Sequence, residues 1–235
     1  MAILFRMPND EPVLIPLFCL VAFLVGGIPF GYLAGRALLK DDIRKHGSGN
    51  IGATNVGRVI GWKWGGLVLV LDALKGMLPT WLAMKVASEQ LPESLRLHAA
   101  VATGICAIIG HMYPVYLKLR GGKGVATALG VVLVLAPKAV GVAFVVFLAV
   151  TGLTRKVALA SMAAAVTFGI VQLWLMGTTA TEPQFSSMTA FSVLVPLLII
   201  WRHRSNIMRM LSGTEPPVTK SAAPDSARRD SDDTN

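Results

Sequence analysis

Three short stretches of this chain concentrate the residue types that handle phosphate. The first, residues 47–58, reads GSGNIGATNVGR. Glycines such as Gly47 and Gly49 let a backbone turn through positive φ and bring N–H groups up to an oxyanion. Ser48, Asn50, Thr54 and Asn55 add neutral hydrogen-bonding groups. Arg58 adds a planar, permanently charged fork suited to phosphate. The stretch is not a Walker A loop, because Ala53-Thr54 stands where Lys-Ser/Thr is required. A plain turn-rich connector would not need so many donors. The second stretch, residues 118–124, reads KLRGGKG and runs straight into an apolar segment. Gly121, Gly122 and Gly124 at a helix start would expose unbonded N–H groups and the positive helix end, with Lys123 beside them. The third follows the last apolar run: Arg202, His203, Arg204, Asn206 and Arg209, then Gly213-Thr214-Glu215. His203 and Asn206 stand at i, i+3 and share a helix face. Arg202 and Arg204 are read as snorkelling to lipid headgroups.

Other reactive side chains are fewer. Asp72 and Lys75, at i, i+3 inside an apolar run, read as a structural ion pair, with a substrate contact as the alternative. His111 is open to either a core or a catalytic role, while His46 and His98 read as boundary residues. Cys19 and Cys106 lie in apolar runs and read as small buried hydrophobes. None of the four histidines begins a His-x4-Asp box, and no Gly-x-Ser-x-Gly elbow occurs. No acidic cluster suited to Mg²⁺ is evident. No metal and no cofactor is called for.

These residues must be positioned by a mostly apolar framework. Of 235 residues, 54% are hydrophobic and 15% charged, with a mean hydropathy of +0.61. A soluble domain carries about 25% charge, so a soluble nucleic-acid binder is excluded despite a net charge of +9. Such a charge on an apolar chain points to basic loops facing anionic membrane lipids or anionic substrates. Seven apolar stretches appear, at 13–34, 65–87, 97–117, 125–136, 138–153, 157–177 and 188–201. Several exceed the ~18–20 residues that cross a bilayer as a helix. The first reads as a span, not as a cleaved leader. With the N-terminus outside and seven spans, the inner segments 35–63, 118–124, 154–156 and 202–235 hold 17 of the 22 Lys and Arg residues. A six-span count would put Arg155 and Lys156 outside, against that bias. The expectation is therefore an all-α membrane protein with seven transmembrane helices, N-terminus outside and C-terminus cytoplasmic. Residues 1–215 form one polytopic domain, and 216–235, rich in Pro, Ser and mixed charge, read as a disordered cytoplasmic tail.

In motif content and order the chain resembles the bacterial acyl-phosphate:glycerol-3-phosphate acyltransferases, an integral membrane family with three cytoplasmic motifs. Residues 47–58, 121–127 and 203–215 carry the resemblance, which extends over roughly 15–217. It implies transfer of a fatty acyl group from acyl phosphate to the sn-1 hydroxyl of glycerol 3-phosphate, giving lysophosphatidic acid and phosphate. It further implies a bacterial inner-membrane location, an active site on the cytoplasmic side, and no direct use of acyl-CoA or acyl carrier protein. Carried onto these positions, Ser48, Arg58 and Lys123 bind phosphate and stabilise charge. The backbone of Gly121, Gly122 and Gly124 lines a nest for the leaving phosphate, and Gly47, Gly49, Asn50, Thr54, Asn55 and Thr127 contact substrate. His203 and Asn206 orient the acceptor, and Ser161, in a weaker motif, adds a hydroxyl. The proton acceptor is either His203 or a substrate phosphate, with an orienting role preferred for His203. Nucleic acid is not expected as a partner, and no obligate protein partner is inferred. The alternative, a small transporter of a phosphorylated solute, should show paired inverted repeats, and none is visible.

Overall fold

The computed structural model describes residues 11–218. Among these, ten α-helices form: α1 Glu11–Gly26, α2 Phe30–Leu38, α3 Ala53–Val59, α4 Trp62–Gln90, α5 Glu93–Met112, α6 Val125–Leu135, α7 Pro137–Thr154, α8 Val157–Met176, α9 Ser186–Arg202 and α10 Arg204–Leu211. Six stretches are long and apolar enough to cross a membrane: Val13–Leu38, Trp62–Gln90, Glu93–Leu117, Pro137–Thr154, Val157–Thr181 and Pro183–Arg202. The architecture is thus all-helical and of membrane type, with one departure from the expected seven. The fourth expected span is α6, whose 11 residues reach only about 16 Å. Pro137 sets that limit. It disfavours α geometry in the residue before it, and Ala136 sits at φ −150°, ψ 58°. Pro137 then opens α7 at the helix position where a missing N–H costs nothing.

In lipid, burying apolar surface gives little reason for helices to associate, so close backbone approach takes over. Large side chains such as Val145, Leu153, Ile170 and Trp174 point outward, as a hydrocarbon surround allows. Between α4 and α6 the contact is at backbone level. A Cβ on Gly76 would overlap the Thr127 carbonyl, and one on Gly130 would overlap the Ala73 carbonyl. This crossing fixes the start of α6 beside the middle of α4. A core under α5, α6, α8 and α9 includes Ile108, Met112 and Val131, with Phe168 edge-on to Phe191 at 6.2 Å between centroids. Cys19 and Cys106 are free and only half-buried, less enclosed than expected.

The four basic segments meet at one end of the bundle. Arg58 Nη2 donates to the Pro216 carbonyl at 3.0 Å, and the Val218 N–H donates to the Arg155 carbonyl at 2.7 Å. Lys123 Nζ donates to Asn206 Oδ1, and Arg202 Nη2 donates to the Gly122 carbonyl at 2.6 Å. Residues 216–218 of the expected tail are therefore packed against the bundle end. The remainder of that tail lies outside the described residues.

Candidate active site

The first loop is folded around Asn55. This side chain, in α3, is 1% exposed. Its Oδ1 accepts from the Ser48 N–H at 2.7 Å. Its Nδ2 donates to the carbonyls of Asn50 at 2.8 Å and His46 at 3.1 Å. The amide is thereby occupied within the loop, so Asn55 organises the motif from within. Gly47 and Gly49, at φ +57° and +71°, make the turns this wrapping requires. Asn50 Oδ1 accepts from the Gly52 N–H at 2.8 Å, just ahead of α3. Ser48, Asn50, Thr54 and Arg58 are left facing a cleft.

The second loop departs from the expected nest. The Gly121 N–H donates to the Met112 carbonyl at 3.2 Å and the Gly122 N–H to the His111 carbonyl at 3.1 Å. Neither is free for a phosphate, because the loop is laid along the end of α5. Gly122 packs on the His111 ring so tightly that a Cβ there would overlap Nε2. Gly124, at φ +83°, precedes the first residue of α6. Thr127 is fully buried, with its carbonyl against Gly76 of α4. The loop's contribution to the cleft is Lys123.

His203 joins α9 to α10 and is 2% exposed. Its Nδ1 lies 2.8 Å from the Ile199 carbonyl. A carbonyl only accepts, so Nδ1 carries the hydrogen and Nε2 keeps a lone pair. Burial, reinforced by nearby Lys123, pushes the imidazole down to about 4. Asn206 bridges two charges: its Oδ1 accepts from Lys123 and its Nδ2 donates to Glu215 Oε1 at 2.7 Å. Arg209 Nε donates to Glu215 Oε2 at 2.8 Å. Glu215 is buried and joins the site. It had not been singled out, although it closes the third motif.

These groups enclose a cleft of about 390 Å³. Ser48, Asn50, Thr54, Asn55, Arg58, Lys123, Ser161, His203 and Asn206 line it, whereas Gly47, Gly49, Gly121, Gly122, Gly124 and Thr127 do not. The first residues of α6 (Val125, Ala126) and of α8 (Val157, Ala158) form part of the wall. Their unbonded N–H groups and positive dipole ends add to the cationic side chains. Burial is the main cause that lowers Lys123, to about 8, and it also lowers Arg58, which stays charged. Asp72 and His111 reach the floor of the cleft. Asp72 Oδ1 pairs with Lys75 Nζ at 2.8 Å, as the i, i+3 spacing anticipated. Lys75 also donates to the Ile28 carbonyl at 2.7 Å, and His111 Nδ1 stands 3.6 Å from Asp72 Oδ1. A second, apolar hollow of about 170 Å³ runs between α6, α7, α8 and α9. It shares Leu69, Val125, Ala126, Phe147 and Ser161 with the polar cleft.

Helices and cleft together define an integral multi-pass membrane protein with a cationic site at one end. A family model for glycerol-3-phosphate acyltransferase matches residues 16–213. A glycerol-3-phosphate acyltransferase of Myxococcus xanthus is 47% identical over 196 residues, 83% of this chain and 95% of the relative. One from Listeria monocytogenes is 41% identical over 206 residues, 86% and 96% of the two chains. The crystal structure of PlsY, an integral membrane glycerol 3-phosphate acyltransferase, in its glycerol 3-phosphate form matches with a TM-score of 0.76 at 38% identity, over 87% of this chain and 96% of that one. Its lysophosphatidic acid form matches at 0.73 and 37% identity, over 87% and 95%. The chain belongs to the glycerol-3-phosphate acyltransferase family.

Proposed function

We propose that this protein transfers a fatty acyl group from acyl phosphate to the sn-1 hydroxyl of glycerol 3-phosphate, releasing lysophosphatidic acid and inorganic phosphate. The observation that carries the reading is the junction of the two cavities. A cationic cleft opens at Ser161, Val125 and Ala126 into an apolar hollow, which suits one molecule with a charged head and a hydrocarbon tail. The family's solved structures are described as glycerol 3-phosphate and lysophosphatidic acid forms, the acceptor and product this reaction requires.

The chemistry needs little covalent help, because an acyl phosphate is already activated. The acceptor oxygen attacks the acyl carbon, the bond from that carbon to the phosphate oxygen breaks, and the hydroxyl proton passes to a phosphate oxygen. Charge builds on the acyl oxygen and the leaving phosphate, where Arg58, Lys123, Ser48 and the helix starts are already oriented. Asn206, bonded to Lys123, fixes that ammonium in place. His203 presents the Nε2 lone pair to the bound acceptor and orients it. A group titrating near 4 is a weak proton acceptor at neutral pH. Its tautomer is held by the Ile199 carbonyl.

The same reading places the cleft on the cytoplasmic face of the bacterial inner membrane, with the N-terminus outside and residues 1–215 as one polytopic domain. Its support is that the four Lys- and Arg-rich segments share one end of the bundle. The short α6 and the longer α7 would together make an out-and-back pair, so that seven passes precede the cytoplasmic C-terminus. The test is to offer the purified protein acyl phosphate, acyl-CoA or acyl carrier protein, each with glycerol 3-phosphate. Equal amounts of phosphate and lysophosphatidic acid should form with acyl phosphate alone. Turnover on acyl-CoA or acyl carrier protein without acyl phosphate would overturn the donor assignment.

A further inference from the structure

Arg202, expected to reach lipid headgroups, turns inward. Its Nη2 donates to the carbonyls of Gly122 at 2.6 Å and Gly121 at 3.3 Å. Its guanidinium lies over the Tyr113 ring, 5.2 Å from the centroid. The same two glycines are held on their N–H side by the Met112 and His111 carbonyls at the end of α5. The peptide run that precedes Lys123 is thus clamped from both sides, by α5 through its donors and by α9 through its acceptors. The α5 side is itself backed by a buried chain: the ring on which Gly122 rests belongs to His111, beside Asp72, which pairs with Lys75. Arg209 of the third basic segment pairs instead with Glu215, at 2.8 Å. Arg204 is exposed and stacks on Trp201 of its own turn, at 4.7 Å.

We propose that Arg202 is a positioning residue: by holding the Gly121 and Gly122 carbonyls it fixes the backbone from which Lys123 meets the transferring group. The inference rests on the reading of Lys123 as the cation that meets substrate phosphate. Lysine at 202 would keep the charge, and with it any topological role, but it has neither the planar group that stacks on Tyr113 nor the same reach. Charge alone and clamping therefore give opposite results in one variant.

Arg202→Ala and Arg202→Lys should each lower kcat at least about tenfold, while the KM for both substrates stays within about threefold, as expected when approach geometry is lost. Arg204→Ala, which removes an equal charge next door, should stay within about twofold of wild type. Should Arg202→Ala not be recovered folded, Arg202→Lys decides. A second readout does not depend on turnover. The rate of reductive methylation at Lys123, followed by peptide mass spectrometry, should rise at least about fivefold in Arg202→Lys as the released loop exposes the amine. Wild-type turnover in Arg202→Lys, a loss confined to KM, or an unchanged methylation rate would each overturn the proposal. An inactive wild type would instead count against the proposed reaction, and the methylation rates would still decide the clamp.

Discussion

At residues 47–50 the glycines take positive φ and the loop curls around its own Asn55. At 121–122 the glycines let the loop lie flat on its neighbours, held by α5 carbonyls on one side and Arg202 on the other. Both stretches look alike as sequence, glycine-rich with a cation and adjoining a helix. In the first, glycine meets a conformational demand and the fold is set from within. In the second, glycine meets a demand for space and the fold is set from outside. Each delivers one long cationic side chain, Arg58 or Lys123, to a shared cleft.

The largest effects should come from those two side chains, and they should be equal in kind. Lys123→Ala and Arg58→Ala are each expected to lower kcat/KM by about 10²–10³ while the protein remains folded in detergent. A near wild-type rate in either would break the symmetry between the loops. His203→Ala, outside both loops, should mainly raise the KM for glycerol 3-phosphate. The fall in rate at acid pH should persist in that variant, because a substrate phosphate ionising near pH 6 would account for it. A flattened acid limb with a collapse in kcat would instead make His203 the base. Next come the glycines. Gly122→Ala should cost about tenfold or more in turnover, since its Cβ would meet the His111 ring. Gly49→Asn should stay within about threefold, since asparagine tolerates positive φ and the nearest atom to a Cβ there is the Arg44 carbonyl at 3.3 Å. Equal losses would show that the two glycine roles are not distinct. Asn55→Ala should destabilise the protein by about 1–3 kcal/mol, read as a lower Tm, with a smaller loss of turnover as the loop that carries Ser48 and Asn50 loosens. The Ser48 N–H and the carbonyls of Asn50 and His46 would lose their partner.

What could be read from the chain in advance was local or statistical. The three motifs, the family they resemble and the grouping of basic segments depend on residues near in sequence or on charge counts over whole loops. The Asp72–Lys75 pair was legible because three residues in a helix fix its geometry. Partner-dependent features were not. Helices apolar on all sides carry no periodic sign of which face meets protein, so the α4–α6 contact that buries Thr127 left no pattern. Arg202 and Arg204 are both arginines at a helix end, and only the position of the 121–122 carbonyls separates them. Asn55 reads as a donor until its loop is folded around it. The length of α6 did have a signal in Pro137, which divides two short apolar runs.

The most direct test of the central claim, that a buried, charged Lys123 carries the transfer, is the alkaline pH dependence of kcat/KM in wild type and Lys123→Arg. Lys123 is charged below its lowered value of about 8 and neutral above it. The wild-type rate should therefore fall as pH rises through about 8. Arginine remains charged well beyond that range, so Lys123→Arg, though slower, should hold its rate to about pH 9.5. An alkaline limb at the same pH in both proteins would contradict the account.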